Sequence, residues 1–422
     1  MASVYDHQEG AHMQLSNSGQ TWRNWAGNQS STVQEIQYPT SVADIASAVS
    51  RITASGGQLR VAGSGHSFTP LVTTSGTVMD LSRLPTEAVV DSAASTARVS
   101  GHMRLSEVGP ALWEHGFALA NQGDVDVQTL AGALATGTKG SGPRHGTMSS
   151  RVRGMGLITG TGEQVTVTEA DPGLLHAAQV SLGLLGVVTH VDLSVVPRYR
   201  LREDNAVMSV DELLDAWDES KDAYHHFSFW WMPTSSSSEI YGLPPVPADH
   251  AYVKMLTTEP AEDGSAVTGG SGGRSGPAYL IYPDTELGDP FYELEYVVDA
   301  ADDKEAFLQL RDLMQRGFPE ETTPLQVRWQ ARDEAYLSPQ YRRDSVSLSV
   351  SGMPGTDYVP FLRAVDRQLR DRAARPHWGK LHFLDRDRVK GLYPALDDFR
   401  AVRRSLDPDG VFLNDHLSEL LG

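Results

Sequence analysis

The chain has 422 residues, of which 40% are hydrophobic and 21% charged, a composition typical of globular proteins with a sizeable core. Its 54 acidic residues outnumber 35 lysines and arginines, and the resulting net charge of -19 disfavours binding to nucleic acid or to an anionic membrane surface. The absence of cysteine excludes disulfides, thiolate metal sites, iron–sulfur clusters and a flavin linked through sulfur.

No apolar run reaches the roughly 18 residues that would predict a membrane-spanning segment. Residues 1–13 lack the basic start and the apolar stretch of a secretory signal, and we interpret them as a leader or loose tail. We therefore expect a cytoplasmic protein. Its length predicts two or three domains, at roughly 100–200 residues per domain.

From residue 22 to about residue 197, short strands alternate with helices, which predicts an α+β module. Ser41 is suited to cap a helix, because apolar residues recur at helical spacing from there to Ile52. A short strand over residues 59–62 leads into a glycine-rich loop. Another helix is predicted over residues 105–116, where it ends at a glycine.

Three stretches rich in glycine and other small residues mark a first candidate site. They are residues 62–68 (AGSGHSF), 129–142 (TLAGALATGTKGSG) and 181–189 (SLGLLGVVT). Glycines after a strand allow a tight turn whose backbone N–H groups can bind phosphate oxygens, and they let the backbone approach a flat or charged ligand. Each stretch has an alternative interpretation. For residues 62–68, His66 is an ordinary loop histidine, and for residues 129–142 the small residues make a tight helix–sheet contact. For residues 181–189 the glycines mark a helix end followed by a turn.

The region from residue 200 to about 370 is richer in aromatic residues, and its residues 264–276, with the run TGGSGGRSG, predict a flexible surface loop. The other predicted elements are a helix over 304–316 and strands over 325–329 and 345–351. Side chains alternate along a strand, so Gln326 and Arg328 point to the same side. Such a pair can hold hydroxyl groups or a carboxylate, and an exposed strand face is the alternative.

Residues 375–382 (RPHWGKLH) form a second candidate site, with two histidines, an arginine, a lysine and a tryptophan. A metal site made of His377 and His382 is disfavoured, because their spacing does not match a helical pair and Lys380 would repel a cation. We expect no metal. A positive group beside a flavin is favoured, because reduced flavin carries negative charge near N1. A solvated basic turn is the alternative.

Together these segments resemble the vanillyl-alcohol-oxidase-type FAD-binding family, and more closely its aldonolactone oxidase and alditol oxidase branch, over nearly the whole chain after residue 22. The resemblance rests on residues 62–68 and 129–142, on Leu337-Ser338-Pro339 with Arg343-Asp344, on His377-Trp378-Gly379-Lys380 and on residues 407–414 (DPDGVFLN). It implies an α+β fold, with a two-subdomain FAD-binding domain and a substrate-binding cap domain that contains an antiparallel sheet. The implied boundaries are 14–195 for the FAD-binding domain, 196–370 for the cap domain, and 371–422 for a C-terminal segment that closes over the flavin.

The resemblance also implies site residues. His66 matches the family position that bonds through a ring nitrogen to the flavin 8α-methyl group, and without cysteine a histidyl bond is the covalent link to expect. Lys380 is implied as an electrostatic and hydrogen-bonding partner of flavin and substrate, and His377 as a residue that holds the flavin ring or orients Lys380. The other expected FAD-binding residues are Ala62, Gly63, Ser64, Gly65, Ser67, Gly123, Thr129, Gly132, Ala133, Thr136, Gly137, Thr138, Gly140, Ser141, Gly186, Val187 and Val188.

Two positions depart from the pattern of the branch. A Glu-x-Arg pair is usual where this chain has Gln326 and Arg328, and a histidine is usual near the end of the following strand, where this chain has Ser351. Glutamine cannot take a proton, so Asp124 is a candidate for the missing carboxylate, with an exposed loop aspartate as the alternative. The predicted catalytic residues are Lys380, Gln326, Arg328, His377 and Asp124, and the predicted substrate contacts are Asp124, Gln326, Arg328, Ser351 and Lys380.

The leading hypothesis is hydride transfer from an alcohol carbon of a sugar, polyol or aldonolactone to flavin N5, with molecular oxygen reduced to hydrogen peroxide. Gly123 aligns with a position beside the oxygen-reactive edge of the flavin, and the absence of a side chain there favours an oxidase. One alternative is an oxidase or dehydrogenase of a larger glycoside or secondary alcohol. Another, from a different class, is a flavin-binding or sugar-binding protein without turnover. We expect a monomer or a small homo-oligomer.

Overall fold

The computed structural model describes residues 19–260, 266–270, 273–283 and 290–422, so the predicted tail over residues 1–13 lies outside the described residues. The strands of the amino-terminal module are β1 (Gln20–Arg23), β2 (Ser30–Val33), β3 (Glu35–Gln37), β4 (Leu59–Ala62), β5 (Thr77–Asp80), β6 (Ala88–Asp91), β7 (Thr96–Ser100), β8 (Phe117–Ala118), β9 (Val152–Ile158), β10 (Gln164–Thr168), β11 (Val187–Ser194) and β12 (Val196–Pro197). Its helices are α1 (Val42–Ala54), α2 (Leu105–Glu114), α3 (Leu130–Ala135) and α4 (Pro172–Gln179).

Two sheets organise this module. The order β3-β5-β4 makes a parallel sheet, and α1 connects β3 to β4. The order β10-β9-β11-β7-β6 makes an antiparallel sheet. As predicted, α1 follows a cap at Ser41, whose side chain accepts the N–H of Asp44, and its apolar face buries Ile45, Val49 and Ile52. The glycine-rich loop therefore begins at the carboxyl end of β4, a usual place for ligands beside parallel strands.

The second module contains one large antiparallel sheet. Its strands are β13 (Arg200–Ser209), β14 (His226–Met232), β15 (His250–Glu259), β16 (Thr268–Gly270), β17 (Gly273–Pro277), β18 (Tyr292–Asp299), β19 (Leu325–Gln330), β20 (Ser345–Gly352) and β21 (Arg375–Pro376). Its helices are α5 (Val210–Ala223), α6 (Ala278–Ile281), α7 (Asp303–Gly317) and α8 (Val359–Leu369). The strand order is β16-β17-β13-β15-β14-β19-β20-β18-β21.

The two faces of this sheet differ in character. On one face Val327 and Trp329 pack in an apolar core with Trp217 of α5 and Phe307 of α7. On the other face, the residues that alternate with them are polar and nevertheless buried: Gln326, Arg328, Glu293, Glu295, Ser347 and Ser349. A buried polar face needs hydrogen-bonding partners, so this face has to lie against another polar surface. That surface is contributed by the amino-terminal module.

In the glycine-rich run over residues 264–276, the structure has strands where composition predicted a flexible surface loop. Residues 264–265 and 271–272 lie outside the described residues. The others form β16 and much of β17, which extend the sheet at its edge by pairing β17 with β13. Backbone pairing needs no side chains, and composition does not reveal the free edge of β13 that accepts the pairing.

The carboxyl-terminal segment returns to the first module. Its helices are α9 (Arg386–Leu392), α10 (Leu396–Leu406) and α11 (Asp415–Leu421). Apolar residues from all three helices join the core of the amino-terminal module. Leu59 of β4 donates to the carbonyl of Val411 at 2.8 Å, and the Asn414 amide donates to the carbonyls of Pro70 at 2.8 Å and Thr73 at 2.9 Å. Within the described residues, no helix is both long and apolar enough to cross a membrane.

Candidate active site

A first cleft, of about 1060 Å³, lies at the carboxyl end of β4 and is lined by small residues. A methyl group at Gly63 would stand 2.3 Å from the Thr129 hydroxyl, and one at Gly132 would stand 2.9 Å from it. Gly65 has a φ of +65°, which favours glycine. The predicted cofactor residues that line this cleft are Ala62, Gly63, Ser64, Gly65, His66, Ser67, Thr129, Gly132, Thr136, Gly186 and Val188. Their small size leaves room for a long, narrow ligand.

Five other residues that the sequence predicted to bind the cofactor do not line either cleft, which corrects the expectation that they face the ligand. Ala133 and Val187 are fully buried in the apolar core, because the opposite faces of α3 and β11 carry the ligand-side residues. Gly137, Gly140 and Ser141 are buried and do not line either cleft. The Gly140 carbonyl accepts from Gln330 at 3.2 Å, and the Ser141 hydroxyl donates to the Phe227 carbonyl. Gly140 and Ser141 therefore join the two modules, and the Gly137 N–H donates to the Leu134 carbonyl at 3.1 Å within the first module.

A second cleft, of about 1770 Å³, lies between the two modules and meets the first cleft at His66, Ser67, Gln128 and Thr136. It differs from the first cleft in being crowded with charge. Both acidic and basic side chains line it: Asp124, Glu203, Glu293, Glu295, Lys139, Lys254, Arg274, Arg328 and Lys380. The predicted residues Gly123, Thr138, Gln326 and His377 also line it.

His66 is half-buried at the junction of the two clefts. Its ring lies 4.6 Å from the Trp25 ring, centroid to centroid, and its Nδ1 is buried without a hydrogen-bond partner. Burial, followed by the positive charge of Lys380, lowers the pKa of His66 to about 3. The imidazole is therefore neutral at physiological pH, and its Nδ1 is left without a protein partner. The structure thus places His66 in the wall of a ligand cleft, which disfavours the alternative of an ordinary loop histidine.

Asp124, in the segment between β8 and α3 of the amino-terminal module, contacts the polar face of the large sheet. Its Oδ2 accepts from Gln326 Nε2 at 2.9 Å and from Arg328 NH1 at 2.6 Å. Burial by itself raises the pKa of Asp124, but the charges of Arg328 and Lys254 and the Gln326 hydrogen bond outweigh burial and lower it. Asp124 is therefore ionised at neutral pH. Gln326 and Arg328 do point to the same side, and the carboxylate beside them belongs to Asp124.

A second buried carboxylate, Glu295, lies on the other side of Arg328. Its Oε1 accepts from Arg328 NH2 at 3.0 Å and forms an ion pair with Lys139, while its Oε2 is buried without a partner. Burial raises the pKa of Glu295, but Arg328, Lys139 and other nearby cations hold it well below its usual value. Burial and Arg328 lower the pKa of Lys139 to about 8, although Glu295 acts in the opposite direction. Lys139 thus loses its proton closer to neutral pH than an ordinary lysine.

Lys380 is fixed by a third carboxylate. Its ammonium group pairs with Glu293, which also accepts the Ser349 hydroxyl, and it lies 5.2 Å from the centroid of the Phe68 ring. The neighbouring Gly379 carbonyl accepts the Phe68 N–H at 2.7 Å, which ties this turn to the glycine-rich loop. The turn is therefore buried between the modules and is not a solvated basic turn.

The two histidines of the carboxyl-terminal turn have separate surroundings. His377 lines the second cleft, donates its backbone N–H to the Glu295 carbonyl at 3.0 Å, and accepts the Gly379 N–H on Nδ1 at 3.1 Å. Burial, in the first place, lowers the pKa of His377 to about 3. His382 does not line the cleft and packs against the rings of Trp378 and His416, each with its centroid 5.9 Å away.

Ser351 is the substrate residue for which the structure requires a correction. It is fully buried, and its hydroxyl hydrogen-bonds the hydroxyl of Tyr241 at 2.6 Å, so Tyr241 separates it from the cleft. The pairing of β19 with β20 sets Ser349 opposite Gln326, and Ser349 lines the cleft. A shift of two residues along a strand keeps the same face but moves the side chain by about 7 Å, which the sequence by itself did not resolve.

Sequence reasoning missed Glu293, Glu295 and Lys139. The first two alternate with Leu294 and Tyr296 along β18, which is the same two-residue periodicity that identified Gln326 and Arg328. That signal was present and could have found them. Lys139 lies inside the small-residue stretch and gives no local signal, because its partner Glu295 is more than 150 residues away in the chain.

The fold and the joined clefts define a class, the FAD-dependent oxidoreductases of the vanillyl-alcohol oxidase type. Residues 33–168 match the family model described as FAD binding domain, and residues 191–248 and 284–420 match the model described as D-arabinono-1,4-lactone oxidase. Among solved structures, cholesterol oxidase from Brevibacterium sterolicum has the same fold, with a TM-score of 0.79 at 14% identity over 97% of this chain and 98% of the other.

Two curated relatives match nearly end to end. The L-gulono-1,4-lactone dehydrogenase of Mycobacterium tuberculosis is 33% identical over 95% of this chain and 99% of the relative. The alditol oxidase of a Streptomyces species is 30% identical over 94% of this chain and 98% of the relative. The chain therefore belongs to the aldonolactone and alditol oxidase family. It is an FAD-dependent oxidoreductase.

Proposed function

We propose that the protein is an oxidase that removes a hydride from an alcohol carbon of a sugar, polyol or aldonolactone. The carbon loses hydride and its hydroxyl loses a proton, so the substrate becomes a carbonyl compound. The two electrons and two protons convert one molecule of oxygen into hydrogen peroxide. FAD, when bound, supplies the hydride acceptor and passes the electrons on. The charged second cleft is where the alcohol would bind.

The observation that carries this proposal is the ionised Asp124, which Gln326 and Arg328 hold at the meeting of the two modules. A carboxylate can accept a hydrogen bond from the alcohol and take its proton, which Gln326 cannot do. Because the hydrogen bonds from Gln326 and Arg328 both reach Oδ2, we assign Oδ1 to the substrate hydroxyl. The Asp124 side chain is 25% exposed, so a proton taken here can pass to solvent.

The other residues of the cleft position the alcohol and its charge. Arg328 bridges Asp124 and Glu295, which holds its guanidinium in one orientation. Lys380, fixed by Glu293, presents a positive charge that would stabilise negative charge on a substrate oxygen. His377 is neutral and contacts the backbone of the Lys380 turn, so its role is to position that turn.

The residues present fit FAD, because glycines and other small residues line the first cleft, and Gly63 and Gly132 pack so closely on Thr129 that a side chain at either position would force the wall to shift. We propose that His66 carries the cofactor covalently through Nδ1, the buried ring nitrogen that lacks a protein partner. A neutral imidazole retains the lone pair that such a bond requires. Acid precipitation of the purified protein should leave the yellow colour in the pellet. The His66→Ala variant should release the colour, and an exposed-histidine control, His115→Ala, should retain it.

We propose oxygen as the electron acceptor on the basis of Gly123, which lines the second cleft and has no side chain to obstruct it. One relative is named a dehydrogenase, so the acceptor needs a direct test. Mixing the reduced protein with air-saturated buffer should restore the oxidised spectrum and release one equivalent of peroxide. Reoxidation by an artificial acceptor but not by oxygen would show that the protein is a dehydrogenase.

A larger glycoside is a second candidate substrate, because the lining of the cleft continues from Gln326 of β19 across the neighbouring strands of the sheet. Trp230 of β14 and Tyr252 of β15 line this part with their rings 6.3 Å apart, and Glu203 and Arg274 line the cleft on the strands beyond them. Aromatic rings next to charged groups suit the apolar face and the hydroxyls of a second sugar ring. Comparing kcat/KM for xylitol, sorbitol, L-gulono-1,4-lactone and simple disaccharides would decide between them. Efficient turnover of the small polyols would remove this candidate.

Hydride transfer distinguishes the proposed oxidase from the sequence-based alternative of a flavin-binding or sugar-binding protein without turnover. Anaerobic addition of each alcohol to the purified yellow protein separates the two. Bleaching of the flavin absorbance by any of them demonstrates hydride transfer and removes the binding-protein alternative. Absence of bleaching with polyols, lactones and glycosides would overturn the oxidase.

A further inference from the structure

Three histidines that the proposed chemistry does not use meet where the two modules join. His145 comes from the loop after the small-residue stretch, and His225 and His226 stand at the start of β14. Their ring centroids are 4.4 to 4.8 Å apart. One ring nitrogen from each lies within 4.8 Å of those of the other two. None of the three lines either cleft.

The hydrogen bonds fix two of the three tautomers. His145 Nε2 lies 3.0 Å from the His225 carbonyl, and His226 Nδ1 lies 2.5 Å from the Ser141 carbonyl. A carbonyl only accepts, so these nitrogens carry the protons and the lone pairs lie on His145 Nδ1 and His226 Nε2. A histidine that ligates a metal commonly donates its other N–H to a carbonyl or carboxylate in this way.

Two of the nitrogens in the cluster are buried without partners. His145 Nδ1 and His225 Nε2 have no hydrogen bond, and His145 is only 7% exposed. Burial, as the largest cause, lowers the pKa of His145 and of His225 to about 4 and that of His226 well below its usual value. All three rings are therefore neutral at physiological pH. An unpartnered buried nitrogen costs free energy unless a ligand satisfies it.

We propose that His145, His225 and His226 form a site for a divalent transition-metal ion of the zinc, nickel or copper type. Three neutral imidazoles suit these ions, whereas calcium and magnesium prefer oxygen ligands. Tetrahedral zinc, with Zn–N of about 2.0–2.1 Å, needs nitrogens about 3.4 Å apart, so the rings must close by about 1.4 Å at most. A fourth position is left for water or an anion.

The surrounding charges limit the affinity of this site. Arg144 and Arg151 act on His145, Arg144 also acts on His225, and Lys254 acts on His226, each as a nearby positive charge. These cations favour an anion, such as hydroxide, in the fourth position. Because His145 and His226 belong to different modules, a bound metal would join the two modules and stabilise the native protein by mass action.

The test uses the holoenzyme after removal of metals with a chelator. Added Zn²⁺ should bind at one equivalent and raise Tm, Co²⁺ should produce a tetrahedral visible spectrum, and Mg²⁺ should do neither.

Variants make the outcome decisive. His225→Asn should weaken Zn²⁺ binding by at least about tenfold and abolish the Co²⁺ spectrum, with flavin content and metal-free Tm kept. His176→Asn, in α4 and outside the cluster, is the matched control and should bind as the parent does. If His225→Asn loses flavin, His145→Asn serves as the second variant. Equal Zn²⁺ binding by the parent and both cluster variants, or no binding by the parent, overturns the site.

Discussion

The first cleft and the second cleft are adjacent, yet they are built by opposite means. The first is created largely by small side chains: more than half of the residues that line it are glycine, alanine, serine or threonine, and a methyl group at Gly63 or Gly132 would collide with Thr129. The second is created by bringing charges together, with Asp124, Glu295 and Arg328 in one buried network. Shape specifies what the first cleft holds, whereas charge balance specifies what the second does.

The two clefts should therefore tolerate substitutions differently. Buried charges of opposite sign depend on each other, because removal of one leaves its partner unpaired in a poorly hydrated place. Small residues, in contrast, are constrained by their neighbours only through steric contact. We therefore expect substitutions in the second cleft to act on the chemistry, and substitutions in the first to act on cofactor retention.

The largest effect is expected for Asp124→Asn. It keeps the shape and removes the group that we propose takes the alcohol proton, so the rate of anaerobic flavin reduction should fall about 10²–10⁴-fold. Flavin content should not change. Asp126→Asn, two residues along the same loop and outside the residues that line either cleft, is the control and should reduce flavin at the parental rate. A parental rate for Asp124→Asn would remove Asp124 from the mechanism.

A smaller and different effect is expected for Gly63→Ala. Its methyl group would stand 2.3 Å from the Thr129 hydroxyl, so the wall of the first cleft must shift and flavin content at purification should drop severalfold. The molecules that retain flavin should be reduced at nearly the parental rate. Gly391→Ala in α9 has open space around the added methyl group and should keep full flavin content, with the free energy of unfolding raised by roughly 0.5–1 kcal/mol. A full flavin content in Gly63→Ala would contradict the claim that the small residues of the first cleft determine cofactor retention.

The smallest effect is a change in pH dependence from Lys139. Its pKa of about 8 means that its charge is present below pH 8 and lost above it, leaving Glu295 with one cation fewer. Asp124, Arg328 and His377 share this environment, so kcat/KM should fall with an apparent pKa near 8. Lys139→Arg keeps its charge at higher pH and should move this limb upwards by at least about one pH unit. An unchanged limb, or the same shift in the exposed control Lys390→Arg, would assign it to another group.

The sequence predicted the α+β class, helix α1 with its cap at Ser41, and strands β4, β19 and β20, because each depends on periodicity and capping within about fifteen residues. It also placed eleven of the residues that line the first cleft among the candidate cofactor residues, since a run of small residues is visible without knowledge of neighbours. The sequence did not show which residues of these runs face the core. Ala133 and Val187 belong to the same runs of small residues, but both are buried in the apolar core. Ser351, named from the family resemblance, is buried behind Tyr241, because the packing of distant segments decides which residues of a strand reach a cleft.

Local chemistry in the chain by itself determined that glycine-rich turns would follow short strands, that Gln326 and Arg328 would share a face, and that no cysteine could hold a cofactor or metal. Only the tertiary structure decided that Asp124 lies beside Arg328, that Lys139 meets Glu295, and that His145 joins His225 and His226. The reason is physical. Periodicity and capping act over a few residues, whereas a buried charge or lone pair is satisfied by whichever distant segment the packing brings within about 3 Å.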